Sequence, residues 1–500
     1  MLARSAGWSV RFVGPGLCLL FTVFFFWPHP PASLLLLVLA AALTYLRPQI
    51  AIALLPLTFP YFLFPKPLSP SGSLSFYIAE LALYVCLAMV ALRHVVLSEE
   101  RRATRAWFGS LWQQGRPFLF PALLLLVGAG LALLVSPVPR DSLRGYRELI
   151  LEPLLYVLLM LRYLRTYSDA ARAVGALVLS MLVLACIGLG QGIPRVKSLH
   201  DLFIPNIIRV DAFTYSANNL AFLLNCALPI LLALAFLGLR HPLGGAAPHK
   251  PAWRDPLRWL CVVVMLPMLV ALYWTDSRGA EVSLLIVALL FLFFEVRSRL
   301  LALGVGVAGI LGAIVFWPKI LGMVNEQGHG NISTRLYLWK AGLLIIRDHF
   351  LLGTGLESFN TLFRETYRAQ AIDGQTVGIP TPAEPHPHNF ILDFWISSGL
   401  LGVVAIFWLL GAFAVVLRRT YRACDGLRQA DLLKRLLLGI AGCVLASAIG
   451  GLVDSYYFLP DQAMLFWFFI GMLLVLRMLI REESAARHVE PPIEAASGKR

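Results

Sequence analysis

Apolar blocks long enough to cross a bilayer recur along almost the whole of this 500-residue chain, and that pattern restricts the fold more than any single motif. The hydrocarbon core of a membrane takes about 20 apolar residues of helix. It tolerates no unpaired backbone group, so such blocks have to be helices packed side by side. A transmembrane β-barrel would show shorter segments of alternating polarity, and these blocks do not. Hydrophobic residues make up 59% of the chain and charged residues 14%, against roughly 25% charged in soluble domains. A string of soluble domains is excluded. The expected fold class is an all-α polytopic membrane protein.

Spans are predicted near 12–27, 32–46, 50–65, 74–92, 118–136, 148–164, 171–190, 217–239, 258–274, 281–296, 300–317, 390–417, 434–452 and 461–480. The first three are short and interrupted by Pro28, Pro30, Pro31, Pro48 and Pro60. Two of them reading as one hairpin or as re-entrant pieces gives about 12–14 transmembrane helices. Arg4, Arg11 and the run up to Trp27 resemble a signal peptide, but a second hydrophobic block follows within a few residues and no cleavage site is clear, so the run is read as the first span. The seven cysteines show neither metal-ligand spacing nor a disulfide framework.

The net charge of +14 reads as an orienting bias rather than as a nucleic-acid footprint, because the basic residues fall in short loops. Loop 93–117 holds Arg93, Arg101, Arg102, Arg105 and Arg116; loop 240–257 holds Arg240, Lys250 and Arg254; loop 418–433 holds Arg418, Arg419, Arg422 and Arg428. All three share one side with both termini, which makes that side cytoplasmic. The domain expectation is a bundle of about eleven spans over 1–317, a large periplasmic loop over 318–389, C-terminal spans over 390–480 and a disordered cytoplasmic tail over 481–500.

Arginines on the opposite face run against the orienting bias and need a reason. They are Arg144 and Arg147 before the sixth span, Arg209 ahead of Asn218-Asn219, Arg278 in Asp276-Ser277-Arg278-Gly279, and Arg335 at the start of an amphipathic stretch with Trp339 four residues on. A guanidinium is a permanent planar fork of donors that suits phosphate and pyrophosphate oxygens. Each of these arginines alone also suits a headgroup contact or a carboxylate partner, Arg278 with Asp276 or Glu281 for example. The large loop then turns at Gly353-Thr354-Gly355. It carries a second amphipathic stretch over 356–370 and a stiff approach through Pro380, Pro382, Pro385 and Pro387 to His388.

Imidazole takes up a proton near neutral pH, so His388, at the mouth of an apolar helix, is the best general-base candidate on that face. Asn389 suits a sugar hydroxyl or a helix cap. Asp393, one turn further on, is placed to orient His388. Gly399 and Gly402 suit close helix packing. His386 is read as structural; His386-Pro387-His388 as a metal pair lacks a third ligand, and no metal or cofactor is expected.

Taken in order, Ser277-Arg278-Gly279, Arg335 with Trp339, Gly353-Thr354-Gly355, and His388-Asn389 with Gly399 and Gly402 resemble the O-antigen ligase and polymerase family of bacterial envelope proteins. The resemblance covers roughly the C-terminal half, with Arg209 and Asn218-Asn219-Leu220-Ala221 a looser upstream match. It implies an integral-membrane glycosyltransferase of the bacterial inner membrane, its active site facing the periplasm. The implied donor is an undecaprenyl-diphosphate-linked glycan. The implied acceptor is a hydroxyl of lipid A-core for a ligase, or of another lipid-linked glycan for a polymerase.

His388 maps to the family's essential histidine, and Arg278 and Arg335 to its basic residues. Arg209 is read as a possible third pyrophosphate clamp. The chain has no Asp-x-Asp pair, so a metal-independent transfer is expected, with arginines supplying the positive charge. A lipid transporter or flippase is the alternative from another class. It would put its polar residues at the bilayer midplane, whereas these lie at one face. A non-catalytic scaffold of an envelope-polysaccharide complex is a third reading.

Overall fold

The computed structural model describes residues 2–26, 30–63, 65–67, 75–198, 200–203, 208–239, 243, 254–295, 332–372 and 386–489. They form α1 (Leu2–Phe26), α2 (Pro30–Leu46), α3 (Pro48–Leu54), α4 (Ile78–Val96), α5 (Ser98–Leu134), α6 (Pro139–Tyr146), α7 (Glu152–Tyr163), α8 (Tyr167–Gly192) and α9 (Ala217–Asn225). There follow α10 (Leu228–Phe236), α11 (Pro256–Trp274), α12 (Arg278–Glu295), α13 (Ile332–Asp348), α14 (Phe359–Leu362), α15 (Arg368–Ile372), α16 (Phe390–Ala423), α17 (Ala430–Gly451) and α18 (Pro460–Val489). Among the described residues the extended exception is one antiparallel pairing of Lys66–Pro67 with Ser75–Phe76. The fold is an all-α polytopic membrane bundle, as expected.

Among the described residues eight helices are long and apolar enough to cross a membrane, or nine if Leu34–Leu46 and Pro48–Leu57, bent by 116°, make one crossing. That is fewer than the twelve to fourteen predicted. Segment 50–65 is not a separate span. Pro48 opens a new helix at the sharp bend, α3 ends at Leu54, and Pro56 and Pro60 sit in single 3-10 turns, since a proline cannot continue the ladder behind it. Segments 148–164 and 281–296 are helical, as α7 and α12, but stand outside the eight. Segment 300–317 lies outside the described residues, as do 318–331 and 373–385 of the large loop.

The last helix is the axis of the bundle. Residues 461–480 of α18 are buried on every side, which suits a helix apolar all round. The helix also outruns the expected boundary at Arg481. Tyr167 donates to Glu483 at 2.9 Å and Arg487 pairs with Glu483 at 3.1 Å, so the helix stays tied to the bundle as far as Arg487; residues 490–500 lie outside the described set.

At the opposite end from the site described below, buried arginines close a helix. Arg258 donates to the carbonyls of Ala235 and Leu237 at 2.8 and 2.9 Å, and Arg435 to Leu234 at 2.8 Å. These are the last carbonyls of α10, which have no partner within the helix, and a cation there also meets the negative end of the helix dipole.

One junction fixes the large loop to the bundle. α16 breaks at Gly399, whose φ of +63° and ψ of −161° interrupt the helix. Gly353 and Gly355, with φ of +71° and +89°, dock into the break. Thr354 N–H donates to the Ile396 carbonyl at 2.6 Å, and Leu400 N–H to Leu351 at 3.2 Å. A Cβ on Gly353 would lie 2.5 Å from the Gly399 nitrogen. A Cβ on Gly399 would run into the Leu351 carbonyl. Gly399 is therefore a backbone break that receives a loop, where the sequence suggested helix packing. Gly402 does serve close packing: a Cβ on Gly128 of α5 would lie 3.3 Å from the Gly402 nitrogen and 2.9 Å from the Leu401 Cβ.

Gly399→Ala combines a left-handed backbone with a carbonyl collision. It should destabilise the folded protein by more than about 1 kcal/mol and lower its unfolding temperature in detergent. Gly411→Ala, whose added Cβ meets nothing within 4 Å, should leave that temperature unchanged.

Candidate functional site

His388 is reached from both sides by elements that fix its backbone. Its φ is +52°, a region that L-residues other than Asn, Asp and His seldom enter. Its N–H donates to Ser455 Oγ at 3.1 Å, and its carbonyl accepts from Trp339 Nε1 at 3.3 Å. Asn389 follows as the cap of α16, its side-chain oxygen accepting from Ile391 and Leu392 N–H at 3.0 and 3.1 Å. Asn389 Nδ2 donates across to the Leu452 carbonyl at 2.9 Å. Trp339 holds the His388 backbone, and Asn389 caps the helix that follows it.

The partner of His388 is a residue the sequence reading did not single out. Asp454 lies in the short turn between α17 and α18, and its Oδ1 is 2.8 Å from His388 Nδ1. The same oxygen accepts from Ser455 N–H at 2.8 Å. The other oxygen accepts from Asn218 Nδ2 at 3.0 Å and lies 3.7 Å from Arg335 Nη2. Burial alone would raise the Asp454 pKa. The hydrogen bond and charge of His388 and the charge of Arg335 outweigh it and hold the carboxyl below its usual range.

An ionised carboxylate only accepts. The shared proton is therefore assigned to His388 Nδ1, and Nε2 becomes the basic nitrogen. Asp393, expected to orient His388, faces elsewhere. Its Oδ2 is 3.1 Å from His386 Nδ1, because residue 393 lies on the side of α16 that packs toward the 386 segment. The two histidines of His386-Pro387-His388 thus face different carboxylates.

The three arginines stand at different removes from His388, and Arg335 reaches its carboxylate partner. Arg335, one quarter exposed, bridges to His388 through Asp454. Arg278 opens α12, and a Cβ on the next residue, Gly279, would lie 3.0 Å from Val453 Cγ2, beside Asp454. The Arg278 side chain is exposed. Arg209 is exposed too. Its neighbour Val210 donates to the Trp274 carbonyl at 3.0 Å, four residues before Arg278.

Arg147 belongs to a separate cluster. It pairs with Glu80 at 2.6 Å, Glu148 at 2.7 Å and Glu152 at 3.5 Å, and Tyr84 donates to Glu152 at 2.5 Å. The cluster thus joins Glu80 of α4 and Glu152 of α7 to one cation. Arg144 pairs with Asp141 at 3.4 Å on the surface.

Asn218-Asn219 at the start of α9 ties two carboxylates, Asp454 of the α17–α18 connection and Asp461 in the first turn of α18. Asn218 reaches Asp454, and Asn219 donates to Asp461 at 2.9 Å while accepting from Gln462 at 2.8 Å. The first residues of α9, α12, α16 and α18 therefore gather around one turn, each bringing the positive end of a helix dipole. Asp454 carried one signal in the sequence: it is an acidic residue in an eight-residue connection on the same face as His388.

Residues 263–407 match the family model described as O-antigen ligase. That stretch contains Arg278, Arg335, His388, Asn389, Gly399 and Gly402, and stops short of Asp454. The O-antigen ligase of Salmonella typhimurium (strain LT2) is a relative, 24% identical over 311 residues that cover 60% of this chain and 69% of that protein. The matching family model covers the site segment and the relative carries the same description, so over this stretch the chain is similar to the O-antigen ligases.

Proposed function

We propose that this protein is a membrane-embedded glycosyltransferase that moves a glycan from a lipid diphosphate, undecaprenyl diphosphate, to an acceptor hydroxyl. The site faces the periplasm of the inner membrane and both termini face the cytoplasm. The observation that carries the proposal is the shared carboxylate. Asp454 holds His388 Nδ1 at 2.8 Å, and Arg335 closes on its other oxygen at 3.7 Å. A base and a cation so linked are what this transfer asks for.

The acceptor hydroxyl attacks the anomeric carbon of the donor sugar. Its proton passes to His388 Nε2, the new C–O bond forms, the bond from the sugar to the phosphate oxygen breaks, and the lipid diphosphate leaves with the electron pair. Asp454 keeps the imidazole in the tautomer that can accept that proton and stabilises the imidazolium formed, the role a buried carboxylate plays beside other catalytic histidines. Arg335, Arg278 and Arg209 meet the negative charge that grows on the diphosphate, together with the helix N-termini at the same turn. Trp339, Asn389, Gly399 and Gly402 hold the geometry; Asp393 supports His386 instead.

No step in this sequence calls for a metal ion or cofactor. Similarity to an O-antigen ligase supports a sugar of lipid A-core as the acceptor. The transporter alternative is less well supported, because the polar groups gather at helix starts around one turn.

In membranes supplied with a lipid-diphosphate-linked glycan, His388→Ala should abolish transfer while the protein stays inserted and abundant; near-normal transfer by that variant would remove the base assignment. Asp454→Asn leaves the shape but takes away the charge that fixes the tautomer, and should slow transfer by about 10²- to 10⁴-fold. Arg335→Lys keeps the charge but loses the fork, and should restore only part of the donor use lost in Arg335→Ala, read as donor KM.

A further inference from the structure

Two residues before the base stands a second histidine with a carboxylate of its own. His386 and Asp393 are 7% and 2% exposed, with Nδ1 and Oδ2 3.1 Å apart. The other side of the ring meets Phe458, with ring centroids 5.9 Å apart, and Phe458 belongs to the same α17–α18 connection as Asp454. Pro387 separates the two histidines along the chain. A Cβ on Gly342 of α13 would lie 3.8 Å from the Pro387 Cβ. The short run from His386 to His388 is therefore clamped by α13, α16 and the α17–α18 turn, and the clamp ends at the left-handed backbone of His388. A residue held at φ near +52° relaxes unless its neighbours prevent it. The C-terminal anchor is the Asn389 cap; the N-terminal anchor is His386.

We infer that His386 is a positioning residue of the transfer reaction: paired with Asp393 and packed on Phe458, it holds Pro387 and His388 in the conformation that aims the base, and its grip is tightest while its imidazole is charged. The inference rests on the reading of His388 as that base.

The charged groups facing His386 are Asp393 on α16, Glu357 in the 353–358 turn and His388 in its own segment. Arg144 and Asp141 of α6 act on Glu357 from behind, and the α17–α18 turn presents the Phe458 ring. Burial opposes the charged imidazole. Asp393 and then Glu357 outweigh it, so the His386 pKa is raised above the ordinary histidine range. Folding gains from this pair in full below the ordinary histidine value, and the gain is lost as the pH climbs through the raised one. Transfer should therefore fail on two sides. On the acid side His388 takes up a proton and stops being a base. On the alkaline side His386 loses its proton and the clamp loosens.

The test is the pH profile of transfer by the full-length protein in membranes with a lipid-diphosphate-linked glycan, for wild type, His386→Gln, Asp393→Asn, the double variant and His388→Ala. Glutamine still donates to Asp393 but does not titrate. His386→Gln should cost about tenfold to a hundredfold in kcat, the size expected for a misaimed group, and should abolish the alkaline limb. Donor KM should change by less than about twofold, since donor binding is not what is disturbed. Asp393→Asn should act in the same direction, and the double variant should be no slower than the worse single, because both break one pair.

A His386→Gln enzyme with wild-type kcat and an intact alkaline limb, beside an inactive His388→Ala, would overturn the inference and leave the base assignment standing. An active His388→Ala would instead remove the reading beneath it. Should His386→Gln not accumulate, the wild-type profile alone decides: a rate that stays flat through the alkaline range overturns the proposal.

Discussion

A single carboxylate joins the parts of this molecule that have to meet. Asp454 is held by its neighbour's N–H and receives His388, Asn218 and Arg335 from three other segments. A partly buried carboxylate is costly unless its lone pairs are met by donors, and here each oxygen is met by more than one. The ionised state that results is what sets the histidine's tautomer. Packing, charge and chemistry are therefore one constraint at this position.

The turn that carries Asp454 owes its place to α18, the buried axis of the bundle. Helices wrapped around a common axis bring their ends to common levels, and at this level four of them begin. Backbone strain gathers there too. Among the described residues the non-glycine positions with positive φ are Ala212, Phe213, Asp276, Glu357, His388 and Tyr457. Five of the six precede the helix starts named above: Asp276 before α12, His388 before α16, Tyr457 before α18, and Ala212 and Phe213 a few residues before α9. Such conformations persist where surrounding contacts over-determine them, and they concentrate at working sites. The opposite end shows an ordinary solution to an ordinary problem, with buried arginines meeting the carbonyls of α10.

Much of the fold was legible because its cause is local. Hydropathy along the chain identifies apolar helices, since the bilayer demands that each pair its own backbone groups. The segment over 50–65 shows the limit: composition sees an apolar run and leaves span or re-entrant piece open, while Pro48, Pro56 and Pro60 decide that it bends and breaks into short turns. Gly399 shows another. A glycine in an apolar helix reads as a packing position, and only the approach of the Gly353–Gly355 turn shows why the helix is broken there.

The sequence by itself determined the membrane class, the presence of a basic, histidine-bearing loop and the candidates His388, Arg278 and Arg335, because residue chemistry and hydropathy act one segment at a time. Only the tertiary structure decided which carboxylate serves which histidine. Asp393, five residues from His388, turns to His386, while Asp454, sixty-six residues away, turns to His388. Distance along a chain says little about distance across a bundle, where helices carry their ends far apart or together according to how they pack.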